Sequence, residues 1–164
     1  TVLIHAAAGG VGSLAVQLAK ARGARVIATA SALNSGIVTE LGADQFIDYT
    51  KTHFEDVATD VDVVFDTIGG DTQKRSWQVL KPGGILVSVV SPPPEAVAAT
   101  HGVRGAFVFI RPSGEQLTQI ADLIDGGRMR PVIHTVLPLA EVRQAHVISQ
   151  TGHARGKIVL QVAE

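Results

Sequence analysis

The 164-residue chain has no cysteine, one tryptophan, one tyrosine and one methionine, and aromatic residues make up only 4% of it. Without thiols there is no disulfide framework and no thiolate metal site, and a cytoplasmic address is the default reading. Charge of one sign is lacking too. The 14 Lys and Arg nearly balance 15 Asp and Glu, for a net charge of −1, which leaves no electrostatic footprint for nucleic acid. No apolar run approaches the roughly 20 residues of a membrane span. What is abundant is small and aliphatic. Hydrophobic residues reach 46% and glycines number 17, a composition suited to buried parallel strands under closely packed helices. The length fits one domain with a short appendage. Because the chain opens Thr1-Val2-Leu3-Ile4-His5, inside an apolar run without methionine or a signal-like leader, it reads as a piece of a longer chain.

Short apolar runs alternate with helical spacing. Val2 to His5 reads as a strand. Val11, Leu14, Ala15, Leu18 and Ala19 then recur as one helix face, stopped by Gly23. Further strands are expected at Arg25 to Thr29, Gln45 to Tyr49, Val61 to Asp66, Ile85 to Val90 and Gly102 to Ile110. Helices are expected at Thr72 to Leu80 and Ser113 to Ile124, with a short one ending at Leu41. A strand, a helix and a strand follow at Val132 to Leu137, Leu139 to Ser149 and Lys157 to Val162. Such alternation predicts an α/β fold, a doubly wound parallel sheet of about six strands with helices on both faces. Right-handed crossovers follow from that topology.

The sharpest local signal is Ala6-Ala7-Ala8-Gly9-Gly10-Val11-Gly12, set between the first strand and the first helix. A dinucleotide-binding turn needs very small residues at three places: for the tight turn, for approach of backbone to a diphosphate, and for helix–strand packing. Ala7, Gly9 and Gly12 occupy those places, and free N–H groups around Gly10 and Val11 can meet a diphosphate. Close packing alone would account for small residues here as well. An acid normally ends the second strand and holds the ribose hydroxyls. Val26 through Thr39 contains none, which favours NADP(H) over NAD(H). The same window has no Lys or Arg, so Ser31, Asn34 and Ser35 are its only groups able to meet a 2′-phosphate.

These residues carry a family likeness. Leu3 to Gly12 with Ala15-Val16-Gln17-Leu18-Ala19-Lys20, then Leu41-Gly42-Ala43-Asp44, then Val61 to Gly70, then Leu80-Lys81-Pro82-Gly83-Gly84, and finally Gly152 to Leu160 occur in order. Together they resemble the zinc-independent quinone oxidoreductases of the medium-chain dehydrogenase/reductase superfamily. The resemblance implies hydride transfer from NADPH to a quinone or a conjugated carbonyl. It places the nicotinamide across the ends of the fourth, fifth and sixth strands, at Thr67, Ile68, Val90, Ser91, Phe107 and Phe109. Tyr49 is implied beside the adenosine phosphate. The resemblance also divides the chain into a nucleotide-binding domain over 1–135 and a segment over 136–164 that would complete a substrate domain whose leading part lies elsewhere. No catalytic residue is named on that account, and the chain alone is expected to be inactive. A homodimer joined along the sixth-strand edge is implied as well.

Other readings have less support in the residues. The six histidines are scattered without ligand spacing, and each reads as a surface or strand-end residue rather than a zinc ligand. The only tyrosine has His53, not lysine, four residues on, and no GxSxG elbow exists. A methyltransferase also uses a glycine-rich first turn and often a Leu-Lys-Pro-Gly-Gly run, but it too wants the missing acid. A non-enzymatic dinucleotide-sensing module remains open.

Overall fold

The β-branched runs form the strands of a six-stranded parallel sheet and of a smaller two-stranded one in the computed structural model, which describes residues 1–163. In chain order the elements are β1 (Val2–Ile4), α1 (Gly12–Ala21), β2 (Val26–Ala30), α2 (Ser35–Glu40), β3 (Gln45–Asp48), β4 (Val61–Asp66) and α3 (Gly70–Ser76). There follow β5 (Leu80–Ser88), α4 (Glu95–Thr100), β6 (Arg104–Phe107), α5 (Gly114–Asp125), β7 (Ile133–Pro138), α6 (Val142–Gln150) and β8 (Lys157–Gln161). The first six strands pair in the order β3-β2-β1-β4-β5-β6, every pair parallel. Strand order reverses between β1 and β4, and at such a switch point ligands bind outside the carboxyl ends of the strands. All five residues of β2 are buried, as expected of a strand covered on both faces.

Two apolar layers sandwich the sheet. On one side Ile4, Val16, Ala28 and Val38 pack under α1 and α2. On the other, Leu3, Ile27, Val64, Leu86 and Trp77 cluster with Phe54 and Ala98. Because Leu3 and Ile4 point to opposite layers, a one-residue register slip would exchange the two faces. Among the described residues, no helix is long and apolar enough to cross a membrane.

Three sequence expectations change. The fifth strand begins at Leu80, not Ile85: Val61 pairs with Leu80 and Val63 with Ile85, so Lys81 to Gly84 bulge outward. A Pro-Gly-Gly run reads as a stop, but Gly83 at φ +78 supplies the bulge. A helix unread in the sequence, α4, follows the prolines, with Pro94 at its N-cap, a helix end at which a ring without N–H is tolerated. The sixth strand is shorter than Gly102 to Ile110, ending at Phe107. Beyond it β7 and β8 pair in parallel as a separate two-stranded sheet, crossed over by α6.

Candidate functional site

The turn after β1 is held by backbone alone. Ala7 N donates to Thr29 O at 2.9 Å, Gly9 N to Ala6 O at 2.9 Å and Ser13 N to Gly9 O at 3.0 Å. The left-handed residue is Ala6, at φ +48, one position before the alanine assigned to the tight turn from sequence. Ala7 itself is fully buried. Helix α1 starts without a side-chain cap, and the amides of Gly10, Val11 and Gly12 have no partner among the described residues. Three free donors at the positive end of a helix form an anion cradle. Its wall is glycine: a Cβ at Gly9 would lie 3.2 Å from Ala6 O.

The C-terminal segment reaches this turn, which the sequence alone did not reveal. Gly156 N donates to Ala8 O at 2.8 Å, and Lys157 N to Val132 O at 2.8 Å. Lys157 Nζ would sit 3.1 Å from a Cβ on Gly10, so one cation lies beside the cradle. Gly156 has φ +60, and a Cβ there would fall 2.0 Å from Val132 O. Only glycine fits that crossing.

At the end of β2, a small pocket of about 80 Å³ gathers Ala6, Ala8, Gly9, Ala30, Ser31, Asn34 and Tyr49 with Gly152, His153 and Ala154. The structure thus brings Ser31, Asn34 and Tyr49 together, as expected. Ser31 Oγ accepts from Asn34 Nδ2 at 3.0 Å. The other amide atom, Asn34 Oδ1, is buried without a partner, an acceptor suited to a hydroxyl donor such as a ribose. His153 is the residue that sequence reasoning missed. It lies 119 positions beyond Asn34, and it also borders a second groove of about 510 Å³ lined by Arg130, His134 and Arg155. The far end of the chain therefore brings an imidazole to the pocket that follows β2. No local signal could have placed it there.

At the ends of β4 and β5, Thr67 Oγ1 donates to His5 O at 3.0 Å. Ile68 and Val90 are each 49% exposed, and their loops touch: a Cβ on Gly69 would meet Val90 Cγ1 at 3.1 Å. Ser91 lies beside them. Phe107 ends β6 and is partly exposed, while Phe109 lies past the strand with 80% of its surface exposed. The cradle, the Ser31 pocket and the Thr67–Val90 loops thus all follow the carboxyl ends of parallel strands.

Two of the histidines bear on the site, one a surface residue and one a strand-end residue. His153 borders the pocket, and His5, at the end of β1, is 1% exposed. No group of three or more His, Cys, Asp or Glu suited to a metal occurs among the described residues.

The family model described as zinc-binding dehydrogenase matches residues 41–160. The NAD(P)H oxidoreductase RTN4IP1, mitochondrial, of Danio rerio is 34% identical over 190 aligned residues, covering 99% of this chain and 49% of the relative. The chloroplastic NADPH-dependent alkenal/one oxidoreductase of Arabidopsis thaliana is 37% identical over 167, covering 98% of this chain and 40% of the relative. Among solved structures, the quinone oxidoreductase from Coxiella burnetii superposes with a TM-score of 0.91 at 39% identity, covering 99% of this chain and 52% of that one. The chain spans about half the length, or less, of these relatives.

Proposed function

Because the chain belongs to the zinc-binding dehydrogenase family of the medium-chain superfamily, we propose that it is the cofactor-binding part of an NADPH-dependent oxidoreductase acting on a quinone or conjugated carbonyl. The observation that carries this reading is the row of unpartnered amides at Gly10, Val11 and Gly12, in a glycine-walled turn at the strand-order switch. The relatives' names supply the chemistry: one acts on alkenals and enones with NADPH, another on quinones. They favour hydride transfer over methyl transfer.

When bound, the cofactor supplies the hydride; the protein supplies grip and direction. Ala7, Gly9, Gly10, Val11 and Gly12 would seat the diphosphate against backbone. Asn34 Oδ1 would accept from the adenosine ribose. Ser31, Tyr49 and the imidazole of His153 would surround the 2′-phosphate, and this would let a chain with no basic residue between Val26 and Thr39 select NADPH. Thr67, Ile68, Val90, Ser91, Phe107 and Phe109 would border the nicotinamide. We place the nucleotide-binding unit at 1–135 and read 136–164 as part of a substrate domain. Zinc-independence is proposed from this chain's own donor set, which has no cysteine. The cytoplasmic reading stays a proposal too, since two relatives are named for the mitochondrion and the chloroplast.

Thermal melting with nucleotide and turnover with benzoquinone test this reading on one sample of the 164-residue chain. NADPH at about 100 times its Kd adds roughly 2.7 kcal/mol, a rise of about 5–10 °C for a domain of this size. NADH at the same concentration should give a smaller rise. Turnover should be negligible, because an uncovered nicotinamide gains little of the several kcal/mol that orientation contributes. No shift with either nucleotide would remove the cofactor reading. Saturable turnover would refute the assignment of the substrate site to residues outside this chain.

We also propose that two copies pair along the β6 edge. That edge ends in Phe107 to Ile110, with Phe109 and Ile110 each at least 78% exposed, and an open apolar edge invites strand addition. Light scattering at tens of micromolar should give twice the chain mass of 17.1 kDa; a clean monomer would refute the pairing.

A further inference from the structure

Asp66 ends β4 and is fully buried, yet its carboxylate forms no ion pair among the described residues. Four donors converge on it instead. Oδ1 accepts from Ile68 N at 2.9 Å and Gly69 N at 2.8 Å. Oδ2 accepts from Gln73 Nε2 at 3.0 Å and Ser88 Oγ at 2.9 Å. Ser88 then relays the anchor: its Oγ accepts from Val90 N at 3.2 Å and Ser91 N at 3.3 Å. Gln73 also donates to Ser91 O at 3.2 Å. One oxygen therefore fastens the loop after β4 and the other the loop after β5. Both loops end in side chains that face outward, Ile68 and Val90.

We propose that Asp66 is the positioning residue that sets the nicotinamide end of the cofactor site by locking these two loops to one buried carboxylate. The inference rests on the cofactor reading above. Because no atom of Asp66 reaches the surface, it acts through the loops and touches no ligand. Burial alone would push its carboxyl up, but the backbone donors at Gly69 and Ile68, with Gln73 and Ser88, outweigh that and hold it below the ordinary range. Only an ionised carboxylate offers four acceptor sites and no donor. An asparagine could still serve Ile68 and Gly69 through Oδ1. Its amide N–H₂ would then face Gln73 and Ser88, donor against donor, and the loop after β5 would lose its tether.

The design therefore predicts an effect confined to one end of the site. Asp66→Asn and Ser88→Ala should each weaken NADPH about tenfold, the scale of one unmade buried hydrogen bond. Affinity for 2′,5′-ADP, which carries only the adenosine end, should stay within about twofold. Hydrogen exchange of the ligand-free chain should speed up at Val90 and Ser91 in both variants, while β1 and β2 stay protected. Ser88→Ala removes one atom and keeps the carboxylate, so it carries the test if Asp66→Asn does not fold. Equal weakening of both ligands, or unchanged exchange at Val90 and Ser91, would reduce Asp66 to a structural residue and overturn the proposal. A wild-type chain that binds neither ligand would instead overturn the cofactor reading itself.

Discussion

Gly12→Ala is expected to lose at least about 3 kcal/mol of stability, beyond the usual cost of one extra methyl group in a packed interior. A Cβ at position 12 would lie 2.2 Å from Ala6 O and 2.8 Å from both Ala6 C and Ala7 Cα. All three are backbone atoms, so no rotamer change relieves the contact. Relief requires α1 to move off β1, and that would open the layer in which Val16 packs beside Ile4, Ala7 and Ala28. The same movement would displace the free amides of Gly10 and Val11, so nucleotide affinity should fall with stability. For a chain of this size, about 3 kcal/mol corresponds to a melting temperature lower by roughly 6–12 °C. Gly36 is the matched control. It also lies in a helix, α2, but a Cβ there would meet nothing within 4 Å. Gly36→Ala should be neutral or stabilising by up to about 1 kcal/mol, since alanine is the better helix former. Equal melting of the two variants would show that close approach at Gly12 does not hold the turn.

Gly12 also shows why so much of the fold could be read from residues alone. Its spacing from Gly9 and the apolar run before it belong to one short segment, where turn chemistry, strand and helix start specify each other. The same holds for Val61 to Asp66, whose bounds match the expected strand. What escaped reading depends on distance in sequence or on competition between signals. Pro92 to Pro94 and Pro82-Gly83-Gly84 are breakers by composition. Yet the first run precedes a helix and the second is absorbed as a bulge, because pairing with β4 outweighs local preference. His153 and Lys157 reach the site only because β8 pairs with β7 and Gly156 crosses under Val132. Gln17 is a similar case. It reads as one polar residue on an apolar helix, but its amide clasps Arg130 O and Arg130 N, at 2.9 Å and 2.8 Å, and so fixes where the C-terminal segment begins. The Asp66 anchor falls between these cases. The acid is visible in the sequence, but its four donors come from a loop, a helix and a neighbouring strand.

Acid should destabilise the chain well before its carboxylates protonate, and His5 is the cause. Its ring is buried at the end of β1, with Nδ1 3.1 Å from Thr29 Oγ1 and Nε2 2.9 Å from Ser76 Oγ. Ser76 Oγ already donates to Thr72 O at 2.7 Å, so it accepts from Nε2–H, and Nδ1 accepts from the Thr29 hydroxyl. That arrangement requires the neutral imidazole. Phe54 packs edge-on at 4.6 Å between centroids. Burial lowers the His5 pKa from 6.5 to about 4; the nearby Asp66 and Glu55 carboxylates oppose this and Arg75 reinforces it. In the unfolded chain the ring takes a proton near pH 6.5, whereas in the folded chain it does so only near pH 4. The unfolded state therefore binds more protons across that interval, and stability falls as pH is lowered through it. The loss between pH 7 and pH 5 is about 2 kcal/mol, or roughly 4–8 °C in melting temperature. It flattens below pH 4, where both states carry the proton. His5→Gln keeps a donor and an acceptor but does not titrate, so its melting temperature should change far less between pH 7 and pH 5, even if the variant starts lower. Ser76→Ala leaves the ring in place without its acceptor and should retain the acid slope. A wild-type slope that persists unchanged in His5→Gln would assign the acid sensitivity to other groups and leave His5 as a packing residue alone.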